Sequence, residues 1–297
     1  MMELDNKKYL KKLKLKHLRH PLRSAESLLN IFLTSINQYR FNAQFKNIPR
    51  IIRSKCWCGG KLSEYDMHKS YGLCVDCGTY VNKCPPDASK LSEIYGLDKY
   101  WQDRQRFGGH PTIEKRGDLY RVDGRLDKWV EMVSHYGPDE GVVIEVGCAP
   151  GVMLKELELK GYECIGVEAN MDVVHWLRQN SQLNVHQGIF PEISLPKANL
   201  FLSFDVLEHS MEPLRFIKGI SEHLESGGVA ILQTAIDRYA VTPPFGEQFE
   251  KIFDDVEHTY IYTDKAIRRL IGNTDLRIIS LDHRTSLAGE LIVIGKP

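Results

Sequence analysis

Apolar and polar positions change their rhythm along this chain. From Val142 onward, short apolar runs rich in β-branched residues recur at Val142–Val146, Cys164–Val167, Leu200–Phe204, Val229–Leu232, Ile278–Leu281 and Leu291–Ile294. Segments with helical spacing separate most of them: Met153–Leu159, Asp172–Arg178, Leu214–His223 and Asp264–Ile271. Strand and helix in alternation predict a mostly parallel sheet with helices on both faces. Only His283–Gly289 separates the last two runs, too short for a crossover helix, so they are expected to pair antiparallel.

Upstream the pattern differs. Leu10, Leu13 and Leu18 share roughly one helical face in a lysine-rich run that Pro21 breaks. Ser24 can cap a second helix, with Glu26 in its first turn and Leu28, Leu29, Phe32 and Ile36 as its apolar stripe. A Cys/Gly-rich stretch follows and ends at Cys84-Pro85-Pro86. Three regions are therefore expected: a basic helical extension at 1–54, a small cysteine module at 55–86 and an α/β domain at 87–297.

Charge sharpens this division. The 297 residues balance to zero net charge, yet residues 1–55 hold thirteen Lys/Arg against three Asp/Glu. That block is either a solvated helical extension or a contact for an anionic partner such as nucleic acid, phosphate or a peripheral membrane surface. No apolar run approaches the roughly 18–20 residues of a membrane-spanning helix. The N-terminus lacks the apolar core and small-residue cleavage site of a secretory signal. Cysteine use does not resemble a disulfide scaffold, and a cytoplasmic location is expected.

One loop stands out. Val143-Ile144-Glu145-Val146 runs into Gly147-Cys148-Ala149-Pro150-Gly151, and a helix is expected to open near Val152. Glycines there let the backbone turn sharply and approach a ligand closely. A second strand ends at Glu168, where an acidic side chain can accept hydrogen bonds from both hydroxyls of a ribose. Alone, this also fits an ordinary βα turn or a dinucleotide site. The segment Asp205-Val206-Leu207-Glu208-His209 after the next long strand, and Leu224-Glu225-Ser226-Gly227-Gly228 before the one following, narrow the choice.

In that order of motifs, residues 141–297 resemble the class I S-adenosylmethionine (AdoMet)-dependent methyltransferases. The resemblance implies a Rossmann-like sheet, mostly parallel with an antiparallel last hairpin. It implies that Glu145, Gly147, Ala149 and Gly151 line the methionine half of AdoMet, that Glu168 holds the ribose, with Asn170 nearby, and that Gln187 and Gly188 lie beside the adenine. Asp205 joins this cofactor set. Two positions depart from the family pattern: Ala149 replaces a usual glycine, which a negative φ would tolerate, and Ile189 replaces a frequent acidic residue at the adenine.

Cys56-Trp57-Cys58-Gly59-Gly60 and Cys74-Val75-Asp76-Cys77-Gly78 form two close cysteine pairs, each followed by glycine. Such pairs can wrap a tetrahedral, structural Zn²⁺ as two knuckles. The first pair is one residue shorter than usual, so Cys84 and His68 stay open as substitute ligands, and two structural cysteines in a hairpin remain the plain alternative. A knuckle upstream of such a domain resembles methyltransferases of deoxysugar and surface-polysaccharide pathways. Sugar C-methyltransferases of that type carry a further C-terminal domain, and this chain ends after its sheet, so O-methylation of a sugar or related small metabolite is expected.

Methyl transfer to a hydroxyl requires alignment and removal of a proton. His209 and His258 are the candidate bases, with Asp237 to Asp255 as a substrate lid. Asp205, Glu208, His209 and His258 also resemble the acidic/histidine set of certain metal-dependent O-methyltransferases, where a divalent cation such as Mg²⁺ would chelate a vicinal diol. The plainer alternatives are that Glu208 caps the following helix and His258 stabilises the lid. Two other functions stay open: a zinc-ribbon enzyme acting on RNA, whose binding would fall steeply with salt, and a catalytically inactive AdoMet-binding interaction module. The oligomeric state is not legible.

Overall fold

A computed structural model describes residues 48–64, 69–87, 90, 95–104, 112–236, 253, 256–282 and 290–297. The two expected N-terminal helices, the lid apart from Phe253, His68 and the 283–289 connection lie outside these residues.

The chain first lays down three short strands, β1 (Leu62–Glu64), β2 (Tyr71–Cys74) and β3 (Tyr80–Asn82), then a π-helical turn at Leu97–Arg104. Helices α1 (Ile113–Val122) and α2 (Arg125–Tyr136) lead into alternating elements. These are β4 (Val142–Val146), α3 (Val152–Leu159), β5 (Glu163–Glu168), α4 (Met171–Ser181), β6 (Val185–Gln187) and β7 (Ala198–Phe204). After a 3₁₀ turn at Leu207–His209 come α5 (Pro213–His223), β8 (Leu224–Thr234), β9 (Tyr260–Ile261), α6 (Asp264–Ile271), β10 (Arg277–Asp282) and β11 (Glu290–Gly295).

Seven strands form the main sheet in the order β10-β11-β8-β7-β4-β5-β6. Pairings from β6 through to β8 are parallel, and β11 pairs antiparallel with both β8 and β10. This is the Rossmann-like sheet with an antiparallel last hairpin that the sequence pattern implies. Because side chains alternate along a strand, each strand feeds two cores. Val143, Leu200, Leu202 and Ile231 pack with α2, α3 and α4 on one face. Ile144, Val146, Phe201 and Leu232 pack with α5 and α6 on the other. Burying one such aliphatic side chain stabilises the fold by about 1.5–3 kcal/mol.

Local chemistry sets the helix starts. Thr112, Asn170 and Thr263 each accept a backbone N–H from the first turn of α1, α4 and α6, respectively. Pro213 opens α5 at a position where its missing donor is harmless. By contrast α3 starts from Gly151, in left-handed conformation, without a side-chain cap, so its first amides are left to face a ligand.

From Val142 onward the strands and helices named from sequence form, and the structure adds elements that pattern alone did not reveal. Helices α1 and α2 precede the sheet, and the three-residue β6 extends its edge. The Gly227-Gly228 segment, placed by the sequence just before the strand at Val229, lies inside the longer β8, which already pairs Leu224 with Ala198 before a register shift. A second, four-stranded sheet runs β1-β2-β3-β9, so the cysteine region takes its last strand from residues 260–261 of the larger region.

Candidate methyl-transfer site and cysteine cluster

A cleft opens at the C-terminal ends of the parallel strands, where ligands of open α/β sheets bind. Glu145, Gly147, Ala149 and Asp205 line it together with Tyr120, Trp129, Pro150 and Phe204. Gly147 has φ 72°, and a Cβ there would collide with Val206; only glycine fits the turn. Ala149 is absent from the residues of positive φ, so its methyl group is accommodated as expected. Gly151, also at positive φ, caps α3.

The acidic groups are tuned by burial. Glu145 is nearly inaccessible and its Oε2 has no hydrogen-bond partner among the described residues, and burial pushes its pKa well above the usual carboxylate range. A buried acceptor without a donor is what a cationic or N–H-bearing ligand group would complete. Glu168 closes β5; its Oε1 accepts from the Asn170 amide at 3.1 Å, and burial raises its pKa to about 7. Beside it, Gly188 N donates to Glu168 O, and the Gln187 side chain donates to Ala169 O. Ile189 is half exposed.

Asp205 takes a left-handed φ of 56°, uncommon for a residue with a side chain. Its carboxylate accepts from Gln233 Nε2 at 2.8 Å, and Gln233 Oε1 in turn accepts from the indole of Trp129 at 2.9 Å. Burial, and then the neighbouring Glu208, raise its pKa to about 7.

Glu208 does not cap α5, whose N-cap is Glu212 without a side-chain bond. It is buried and accepts from Thr234 Oγ1 at 2.7 Å. Burial raises its pKa, and His258 opposes that rise. The His209 and His258 rings lie 5.0 Å apart, and Tyr95 meets His209 edge-on at 5.7 Å. His209 Nδ1 sits 2.9 Å from the Glu257 carbonyl oxygen. A carbonyl only accepts, so Nδ1 carries the proton and the basic lone pair falls on Nε2. Donor atoms of Glu208, His209 and His258 all lie within 4.8 Å of one another.

A second cluster gathers Cys56, Cys58, Cys74 and Cys77, whose sulfurs also lie within 4.8 Å of one another. Cys56 and Cys77 are 3.6 Å apart and Cys58 and Cys74 3.5 Å, too long for disulfides. Tetrahedral Zn–S bonds of about 2.3 Å place sulfurs roughly 3.8 Å apart, so the spacing fits a Zn²⁺. The short first pair closes because Gly59 turns back onto the Cys56 carbonyl, and a Cβ on Gly60 would press on Cys74 Sγ. Hydrogen bonds from Cys56 and Thr79 lower the Cys77 pKa to about 5, while the Cys56 thiol is pushed far up, chiefly by its bond to Cys77. A cation among the four sulfurs would let all of them ionise. Cys84 is not part of the group.

The sequence is matched over residues 119–281 by the family described as "Methyltransferase domain". The chain belongs to that family. Its α/β region is a methyltransferase domain. Ubiquinone biosynthesis O-methyltransferase of Rickettsia prowazekii (strain Madrid E) is 24% identical over 127 residues, covering 40% of this methyltransferase and 50% of that protein. The chain thus spans half the length of that relative. Magnesium protoporphyrin IX methyltransferase of Synechocystis PCC 6803 with bound SAH superposes with TM-score 0.53 at 16% identity, covering 71% of this chain and 100% of that one. Streptomyces venezuelae DesVI gives 0.50 at 17%, covering 62% and 97%. These two likenesses establish the fold.

Sequence reasoning missed several residues of the methyltransferase site. Tyr120 and Trp129 come from α1 and α2, which precede the recognisable motifs, and Gln233, next to last in β8, reaches the site through Asp205. An indole and an amide within apolar patterns read as core or surface until their partners are known. The buried Glu257 and Thr259 beside His258 gave the one usable signal, a polar cluster just before the expected α6.

Proposed function

We propose that this methyltransferase moves a methyl group from AdoMet to a hydroxyl of a sugar or related small metabolite, with His209 as general base and His258 as its partner. The observation that carries this is the His209 ring, whose Nδ1 is committed to the Glu257 carbonyl and whose Nε2 is therefore the basic nitrogen. AdoMet supplies an activated sulfonium methyl when bound. Around it, Glu145, Gly147, Ala149, Gly151 and Asp205 would receive the methionine half, Glu168 the ribose, and Gln187 and Gly188 the adenine edge. His209 Nε2 would take the proton of the acceptor hydroxyl as that oxygen bonds the methyl carbon and the carbon–sulfur bond breaks, leaving a methyl ether and S-adenosylhomocysteine. The aromatic contact of Tyr95 with His209 supports a covered acceptor site that excludes water. The relative named as an O-methyltransferase, and the likeness of the cysteine knuckle to those of polysaccharide-pathway enzymes, support the hydroxyl and the sugar. Cys56, Cys58, Cys74 and Cys77 would hold a structural Zn²⁺.

A second reading is favoured by the convergence of Glu208, His209 and His258 donor atoms. In it a divalent cation such as Mg²⁺ sits among them and lowers the pKa of a vicinal diol. One assay separates the two. Transfer of label from tritiated-methyl AdoMet to nucleotide sugars, free sugars and catechol is followed with and without EDTA and added Mg²⁺. The base reading expects transfer indifferent to Mg²⁺ and reduced about 10²–10⁴-fold in His209→Asn, whose amide still donates to Glu257. Loss on EDTA and recovery with Mg²⁺ favours the cation. Full transfer by His209→Asn sinks the base assignment. Labelling of RNA in place of these acceptors, weakened by salt, returns the reading to a nucleic-acid enzyme; AdoMet binding without transfer to any acceptor returns it to an inactive module.

A further inference from the structure

The cysteine region reaches directly into the methyl-transfer site. Strand β3 pairs with β9, which begins two residues after His258. Tyr71, at the start of the strand that ends in Cys74, donates its hydroxyl to the His258 carbonyl at 2.8 Å. Asn82 donates Nδ2 to the same carbonyl at 3.2 Å, and its backbone N donates to Thr259 O. Both side chains are fully buried. Arg53 grips the Tyr260 hydroxyl at 2.6 Å and the Met211 carbonyl at 3.1 Å. From the opposite side, Thr259 N donates to Glu208 O and Tyr262 N to Ala235 O. The backbone carrying His258 is thus held between the cysteine region and the main sheet.

The cofactor cleft has a different wall. Its lining comes from α1, α2, the β4–α3 loop and the end of β7, with no residue of the cysteine region. The two supports are separable.

We propose that the metal-bound four-cysteine module is the positioning element of the methyl-transfer site, with Tyr71 and Asn82 holding His258 against His209. It rests on the reading of His209 and His258 given above. Metal sets the spacing of the two knuckles, the knuckles set the register of β2 and β3, and those strands set the position of one carbonyl. Loss of the metal releases the histidine pair and leaves the cofactor cleft in place. Tyr71 and Asn82 are positioning residues, since they act through His258 and line no part of the cleft.

The test uses the full chain with histidine ring labels and S-adenosylhomocysteine bound. In the zinc-loaded protein, ring protons of His209 and His258 should give a mutual NMR cross-peak, as their 5.0 Å centroid separation demands. Tyr71→Phe keeps the packing against Phe253 and removes only the hydroxyl donor. The cross-peak should weaken in Tyr71→Phe, disappear in chelator-stripped protein and return when Zn²⁺ is restored. Calorimetry with AdoMet should stay within about twofold of wild type in Tyr71→Phe and in stripped protein, since the cleft's own contacts are untouched. An unchanged cross-peak in both samples overturns the proposal, as does a parallel collapse of AdoMet binding, which would make the module a general structural support. Failure of the catalytic reading would register elsewhere, as undiminished label transfer by His258→Ala.

Discussion

Glu168 shows how much one buried carboxyl decides. In the free protein burial holds its pKa near 7, against an ordinary carboxylate value well below that. Ribose hydroxyls donate, so they favour its ionised form. AdoMet affinity is therefore expected to weaken as pH falls from 8 to 6, measured by calorimetry, with Asp205 adding to the slope because its pKa is also about 7. Glu168→Gln should flatten much of this dependence and weaken binding roughly tenfold or more, given about 1.5–3 kcal/mol for hydrogen bonds to charged groups. An unaltered pH profile in that variant would remove Glu168 from the ribose. Stability runs the other way. The native free protein binds protons on these carboxyls that the unfolded chain has released, so its unfolding free energy rises as pH falls through 7 toward the ordinary carboxylate range.

At the level of elements, α2 links the core to the site. Trp129 stacks on Phe204 with ring centroids 4.2 Å apart and holds Gln233, which holds Asp205. Trp129→Ala should cost about 3–5 kcal/mol in urea unfolding. Trp129→Phe should cost less, yet it leaves the buried Gln233 oxygen without its indole donor and should still weaken AdoMet binding through Asp205. Six of the seven main-sheet strands and four of the helices were legible in sequence because β-branched runs and helical spacing survive without knowledge of partners. The glycine loop was legible because its backbone demands those residues. Helix α1 escaped because its aromatic and charged residues interleave without a clean stripe; α2 carries one in Leu126, Trp129, Met132 and Val133 but lies ahead of the first recognised motif, and β9, two residues long, is a strand only by virtue of β3. His209 and His258 were grouped in sequence only through the resemblance to metal-dependent O-methyltransferases; no spacing in the chain brings them together, since their adjacency is set by hydrogen bonds across the two sheets. The four sulfurs' convergence was legible from spacing, although the shortened first pair depended on a turn at Gly59.

For the whole molecule, the two sheets act as one device if a cation occupies the cysteine cluster. Purified chain is expected to carry about one zinc by elemental analysis, with Cys74→Ser lowering both zinc content and the thermal midpoint. Zinc far below one per chain, with an unaltered midpoint in Cys74→Ser, would leave four ordinary thiols. Among the described residues no helix is long and apolar enough to cross a membrane.

The pairing of β3 with β9 also bears on the order in which the chain assembles. Tyr71 and His258 meet across 187 residues of sequence. During synthesis the first three strands emerge early, and the outer backbone edge of β3 waits for a partner until most of the polypeptide has left the ribosome. An open edge of that kind invites pairing with a neighbouring nascent chain. Early capture of metal would narrow that window, because knuckles already closed hold the edge in the register its distant partner needs.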